Sequence, residues 1–238
     1  MQKNLSLTLS ILLASALTAC GGGGGGDGAS ESSPSAQVQG RWTTAAGSAS
    51  AYTAIGLPSS NASATVWLLA NDASRLVKLT AQDSGALAGK AYALGQNTAA
   101  TSVSGQWSTS ASKSLSLTGL PVGGLTLAQI DALTTSAVQA DVAGAWKATV
   151  GSNAQSVNWT VAASGAVSGN STTGCTYTGT LGAMANASAY TAAVKETCSD
   201  GASTQFNGVA TLNTAKNALS MVTTSADETM GAALFFSK

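Results

Sequence analysis

The residues of this sequence best suited to covalent chemistry are its three cysteines, Cys20, Cys175 and Cys198. A thiol can act as a nucleophile, bind a metal or form a disulfide, and some cysteines carry lipid. Cys20 stands at the end of an apolar run and directly before six glycines, whereas Cys175 and Cys198 lie together in the second half of the chain. The two settings predict two different roles.

Other reactive side chains give little sign of catalysis. The chain has no histidine, which excludes Ser-His-Asp and Cys-His catalysis and imidazole metal sites. Its carboxylates are scattered, without the spacing of a calcium loop or a glycosidase pair. The one alternative is a weak cation site, if Asp227 and Glu228 meet Asp200 at one end of the second half. We therefore expect a protein that is not an enzyme and that needs no cofactor or metal.

The amino-terminal residues have the features of an export signal. A short basic start is followed by apolar and small residues from Leu5 to Ala19, a length typical of a signal peptide and too short for a confident membrane span. Leu17-Thr18-Ala19-Cys20 resembles the lipobox of bacterial lipoproteins. The resemblance implies that residues 1–19 are removed and that Cys20 becomes the acylated amino terminus, carrying palmitate or a similar chain. An ordinary signal peptide with an incidental cysteine is the alternative.

The residues after Cys20 predict a tether. Residues 20–37 are mostly glycine, serine, alanine and acidic residues, a composition that cannot bury enough apolar area to fold. Gly21 follows the cysteine, whereas bacterial lipoproteins retained at the inner membrane carry aspartate there. The resemblance therefore implies the outer membrane, on its periplasmic face or at the cell surface, with the lipid as the membrane contact.

Cys175 and Cys198 occupy matching positions in two candidate strands. Cys175 shares one strand face with Tyr177, Gly179 and Leu181, and alternate residues up to Cys198 share a face in the second run. Pairing the cysteines in an antiparallel hairpin places Gly179 opposite Val194 and Leu181 opposite Ala192. An even pair in an exported chain predicts a structural disulfide; a redox-active pair is the alternative, although the spacing lacks a CxxC motif.

Glu196 is the exception in this hairpin, because it falls on the same face as the apolar residues, opposite Tyr177. A buried, unpaired carboxylate would be costly. Either this end of the hairpin is open to solvent or a bulge turns the side chain away. We expect the open end.

Composition and patterning favour an all-β protein. Hydrophobic residues make up 44% of the chain and alternate in runs such as "SVNWTV" and "FNGVATL", separated by Gly, Asn and Ser turns. Charged residues make up only 8%, with equal numbers of each sign, so no basic surface argues for nucleic-acid binding. We predict small antiparallel β-sandwich or barrel modules, following the signal peptide and the flexible tether.

A repeated Gly-x-Trp pattern suggests two modules in tandem. Gly40-Arg41-Trp42 begins the patterned chain and Gly144-Ala145-Trp146 begins a second stretch of similar size, with a third copy at Gly105-Gln106-Trp107. We predict a first module over residues 38–135, a short helical linker over 136–142 and a second module over 143–238. The tryptophans are expected in the cores, with an exposed aromatic binding surface as the alternative.

The second half also resembles a known group of proteins. Its "GCTYTGTL", "YTAAVKETC" and terminal "LFFSK" segments are similar to the carboxy-terminal module of a widespread group of proteobacterial lipoproteins, and "AYTAIGLPSSNASATVWLLAND" resembles the module that precedes it. The matching residues are glycines, aromatics and cysteines with structural roles. The resemblance therefore implies an architecture and a location, and no activity.

The predicted function is a structural or binding role in the cell envelope, with an envelope protein, a glycan or a host surface as partner. The alternative is a small-ligand carrier with a lipocalin-like barrel, which requires an internal cavity. A cavity in the structure would separate these two hypotheses.

Overall fold

A computed structural model of the chain describes residues 34–48, 50–60, 62–96, 98–150 and 155–238. Cys20, the lipobox residues Leu17, Thr18 and Ala19, the proposed signal peptide and the tether up to residue 33 lie outside this part. The described residues all belong to one compact unit. Within them, no helix has the length and apolar character needed to cross a membrane.

The first half of the described chain forms an eight-stranded antiparallel barrel preceded by a short helix, in which each strand pairs with the next and β8 pairs with β1. We call it barrel 1. The elements are α1 (Pro34–Val38), β1 (Gly40–Thr44), β2 (Tyr52–Ser60), β3 (Ser63–Ala70), β4 (Arg75–Gln82), β5 (Ala86–Ala93), β6 (Thr101–Ser110), β7 (Ser114–Thr118) and β8 (Leu125–Asp131).

The second half repeats this arrangement as barrel 2, and β16 closes it against β9 through Phe236↔Ala148 and Ser237↔Lys147. A 3-10 helix at Gln139–Val142 precedes it. The strands are β9 (Gly144–Val150), β10 (Gln155–Val161), β11 (Ala166–Ser171), β12 (Thr176–Ala183), β13 (Tyr190–Thr197), β14 (Ser203–Leu212), β15 (Ala218–Ser225) and β16 (Gly231–Ser237).

The predicted all-β fold with two antiparallel modules in tandem is confirmed, and of the two architectures left open the barrel is the one adopted. Closure removes the exposed edge strands that a small sandwich would leave. Period-two patterning is clear in β10, where Val157, Trp159 and Val161 are buried and Asn158 and Thr160 are exposed.

Two boundaries differ from the sequence prediction. The tether was expected to run to residue 37, but α1 begins at Pro34, a residue suited to the first helical position because its fixed φ matches the helix. The predicted helical linker at 136–142 is helical only over Gln139–Val142. Residues before it are held instead by loop contacts, such as the Ala137 N–H bonded to the Met184 and Ala187 carbonyls.

The repeated Gly-x-Trp pattern corresponds to a repeated contact. The indole N–H of Trp42 donates to the Val38 carbonyl at 2.9 Å, and that of Trp146 donates to the Val142 carbonyl at 2.7 Å. Gly40 and Gly144, which begin β1 and β9, both have positive φ, of 146° and 126°. This conformation favours glycine, so the same turn leads each chain segment from a short helix into its barrel.

Each barrel has its own apolar core, and a further apolar cluster joins the two barrels. Trp67 and Tyr92 on the outer face of barrel 1 are buried in one cluster with Val222 on the outer face of barrel 2. Glu228 adds polar contacts, with Oε1 2.6 Å from Lys78 Nζ and Oε2 3.6 Å from Lys90 Nζ. Outer strand faces that would otherwise meet water are therefore covered by the neighbouring barrel.

Candidate functional site

The hairpin of β12 and β13 forms one wall of the candidate site, and its register follows the parity of the sequence. Gly179 pairs with Val194 and Leu181 with Ala192, as predicted, without a register shift. A disulfide joins Cys175 to Cys198 next to this ladder. The disulfide and the continuous ladder hold the ends of both strands in a fixed relation.

Glu196 lies at the open end of this hairpin, as expected. The ladder is regular at Tyr177↔Glu196, so the alternative of a bulge is wrong. Glu196 is partly exposed, and its Oε1 accepts a hydrogen bond of 2.7 Å from the Tyr177 hydroxyl. Burial, and then this hydrogen bond, raise the pKa of Tyr177 to about 12, so that the phenol stays protonated and continues to donate at neutral pH.

A cavity of about 140 Å³ lies at this end of barrel 2. Its lining comes from the adjacent ends of six strands, because alternate strands of an antiparallel barrel begin and end at the same rim. The volume is similar to that of engineered apolar cavities of about 150 Å³ that bind benzene. The lining residues are Gln155, Val157, Trp159, Tyr177, Val194, Glu196, Phe206, Met221, Thr223, Ala232 and Leu234.

Two lining side chains have unsatisfied polar atoms. The indole N–H of Trp159 and the hydroxyl of Thr223 are buried and have no hydrogen-bond partner within the described part of the chain. Trp159 is 2% exposed and Thr223 is 1% exposed. An unpaired buried donor costs about 1–3 kcal/mol, so a bound group that accepts from Trp159 or pairs with Thr223 would recover that free energy.

Aromatic rings form much of the cavity wall. The Trp159 ring lies 5.6 Å from the ring of Tyr177, another lining residue, and 4.6 Å from the ring of Phe236, which is outside the lining, measured between centroids. Gly169 makes this possible, because a Cβ at that position would lie 2.4 Å from Trp159 Cδ1. Glycine at one point of β11 therefore leaves room for the indole inside the barrel.

Larger depressions on the surface are less promising. One of about 520 Å³ lies over β9, β10 and β11, and one of about 380 Å³ lies between the barrels near Arg41. Arg41 already donates to the Leu212 carbonyl, and Lys216 is paired with Asp141. Trp159 also lines the first depression, but Thr223 lines neither, and Arg41 and Lys216 at the second already have partners, so size alone does not favour these depressions.

The carboxylates considered for a cation site do not form one. Glu228 is committed to Lys78 and Lys90, while Asp227 accepts hydrogen bonds from Ser225 and Thr229 in its own turn. In the described ranges, the one group of at least three potential metal ligands is Cys175, Glu196 and Cys198. Both sulfurs of that group are held in the disulfide, so no thiolate is free to bind an ion.

All five tryptophans are at most 8% exposed, so the alternative of an exposed aromatic surface is wrong. Sequence reasoning placed Trp159 in the core but did not identify it as a cavity wall, and it did not single out Thr223. A signal for Thr223 was present: it shares the inward parity of Leu219 and Met221, where an apolar residue is expected.

Comparison with known proteins gives no relative for this chain: no family model, no curated protein and no solved structure matches it.

Proposed function

We propose that this protein is a lipid-anchored, non-enzymatic binding protein of the bacterial outer membrane, in which barrel 2 holds a small, mainly apolar ligand. The predicted export signal, the "LTAC" sequence and the predicted glycine-rich tether support the anchored location. The cavity favours the small-ligand alternative over a purely structural role.

One observation carries the binding proposal: the cavity of barrel 2 is lined by two buried polar side chains that lack partners. Folded proteins rarely leave such groups unsatisfied without a functional reason. Ligand sites combine apolar walls with a few convergent polar groups, and this cavity has both.

Phenol is a suitable first probe, because it offers one aromatic ring and one hydroxyl that can pair with Trp159 or Thr223. We expect isothermal titration calorimetry on the full chain, in a nonionic detergent, to detect saturable binding. The Ala232→Leu variant, which fills the cavity, is expected to abolish it. Ala166→Leu adds the same volume at an exposed position of β11 and is the matched control.

Binding that is equal in the wild type and in Ala232→Leu would show that phenol binds elsewhere and would contradict the proposal. Absence of saturable binding in the wild type for phenol, for choline and for the neutral carbon isostere of choline would also contradict it.

A further inference from the structure

The charge at the cavity rim restricts which ligand can enter. Glu196 is the only acidic or basic side chain among the lining residues. Within the described ranges, none of the ion pairs involves it, and its hydrogen-bond donor is the neutral Tyr177 hydroxyl. The cavity therefore has one carboxylate without a counter-charge.

The surrounding turns reinforce this charge. Three described connections lie at this end of barrel 2, at 172–175, 198–202 and 226–230. They contain no lysine or arginine. Glu228 in the last of them is paired with Lys78 and Lys90, whereas within the described ranges no ion pair involves Asp200 or Asp227. Carboxylates without nearby cations create a negative potential at a concave site, which raises the local concentration of cations.

The cavity walls suit an organic cation better than a hydrated metal ion. Trp159, Tyr177 and Phe206 line the cavity, and the negative quadrupole of an aromatic ring attracts a weakly hydrated ammonium. The walls otherwise consist of aliphatic residues such as Val157 and Met221. A metal ion would need several oxygen ligands, whereas an alkylammonium can bury its methyl groups here.

The unsatisfied indole N–H of Trp159 adds a second requirement for the ligand. Trp159 has an N–H that can only donate, so it needs an acceptor on the ligand. Thr223 can donate or accept. A ligand that carries a hydroxyl, ether or carbonyl oxygen a short distance from its ammonium group would meet Glu196 at the rim and these two groups inside.

We infer that the barrel 2 cavity binds a small alkylammonium compound carrying one oxygen acceptor, with Glu196 as its counter-charge and Trp159 and Thr223 as its hydrogen-bonding groups. This inference rests on the proposed ligand-binding function and specifies the ligand class of that same cavity.

Choline and its neutral carbon isostere, in which a quaternary carbon replaces the nitrogen, form a matched pair of probes of nearly equal shape. We expect calorimetry on the full chain, in a nonionic detergent free of choline, to show choline binding about tenfold more tightly than the isostere. Glu196→Gln retains an acceptor for the Tyr177 hydroxyl and is expected to reduce this ratio to about twofold, the preference that the aromatic rings still provide, without weakening the isostere.

Asp200→Asn is the control, since it removes the same charge from a turn outside the cavity lining and is expected to preserve most of the ratio. The wild-type comparison does not depend on any variant folding. Equal affinities for choline and its isostere would overturn the ligand class while leaving the binding function in place. Failure of choline, the isostere and phenol to bind would overturn both proposals.

Discussion

Lys78 of β4 and Glu228 of the turn between β15 and β16 form an ion pair of 2.6 Å that joins the two barrels. Both side chains are about one-third exposed, at 31% and 39%, so solvent screens the pair and its contribution to stability is small. The apolar cluster around Trp67, Tyr92 and Val222 therefore accounts for most of the coupling between barrels.

The contributions of the apolar cluster and of the ion pair can be compared with two variants at the interface between the barrels. A Cβ at residue 231 would lie 2.7 Å from the Tyr92 ring, so we expect Gly231→Ala to lower the free energy of unfolding by about 1–3 kcal/mol. Glu228→Gln should lower it by less than about 1 kcal/mol. Chemical denaturation of both variants gives the comparison. A larger loss for Glu228→Gln would show that the ion pairs dominate the interface.

The tyrosines predict a distinctive alkaline titration. Burial is the main cause that raises the pKa of Tyr92, Tyr177 and Tyr190 to about 12, from an ordinary value of 10.0. Because the folded pKa is raised, the stabilisation is complete below pH 10 and is lost as the pH rises towards 12. In an ultraviolet titration of the native protein, we expect these three tyrosines to ionise near pH 12 and not near pH 10.

Tyr177→Phe should remove one tyrosine from the high-pH part of that curve and leave the rest unchanged. The fully unfolded chain provides the reference, since all tyrosines should then titrate near 10. A native curve that matches the unfolded one would contradict the burial of these phenols.

The disulfide is expected to be a major source of stability in barrel 2. Cys175 and Cys198 are 23 residues apart in the sequence, and cross-linking a loop of this size stabilises by about 3 kcal/mol in the chain-entropy model. Replacing both cysteines with serine should therefore lower the free energy of unfolding by about 3 kcal/mol in denaturant titrations. A matching loss on adding reductant to the wild type, with no effect of reductant on the double variant, would assign the change to the disulfide.

The hydrogen bonds of Trp42 and Trp146 are equivalent, so we expect the loss of either one to lower the free energy of unfolding by a similar amount. Trp42→Phe and Trp146→Phe each remove an indole N–H and leave the Val38 or Val142 carbonyl unpaired. We expect each variant to lower the free energy of unfolding by about 1–3 kcal/mol in addition to the effect of the lost packing. Trp159→Phe is the matched comparison, because its N–H has no partner to lose; a cost as large as that of the other two would argue against the role of these hydrogen bonds.

The proposed lipid anchor makes a prediction that can be tested in cells. Cys20→Ser removes the thiol that the proposed lipid would occupy, so we expect the protein to move from the membrane fraction to the soluble fraction after cell lysis. Immunodetection in both fractions measures this shift. Unchanged membrane association would mean that the lipobox interpretation is wrong.

The sequence by itself determined the local pairing in β12 and β13. Because successive strand residues face opposite sides, placing Cys175 opposite Cys198 set every other pair in the hairpin, including Tyr177 opposite Glu196. The same period identified the inward residues of β10. The pairing of β12 with β13 and the inward residues of β10 depend only on neighbouring strands and a short turn. The alternation of residue types in the sequence is therefore enough to predict them.

Only the tertiary structure decided how the barrels close and what they enclose. Pairing of β1 with β8 and of β9 with β16 joins distant strands, and closure leaves barrel 2 with a cavity that no single strand pattern reveals. Burial of Trp67 and Tyr92 on the outer face of barrel 1 likewise depends on the second barrel. Alternation tells which side of a strand a residue occupies, whereas what lies against that side depends on packing between elements far apart in the chain.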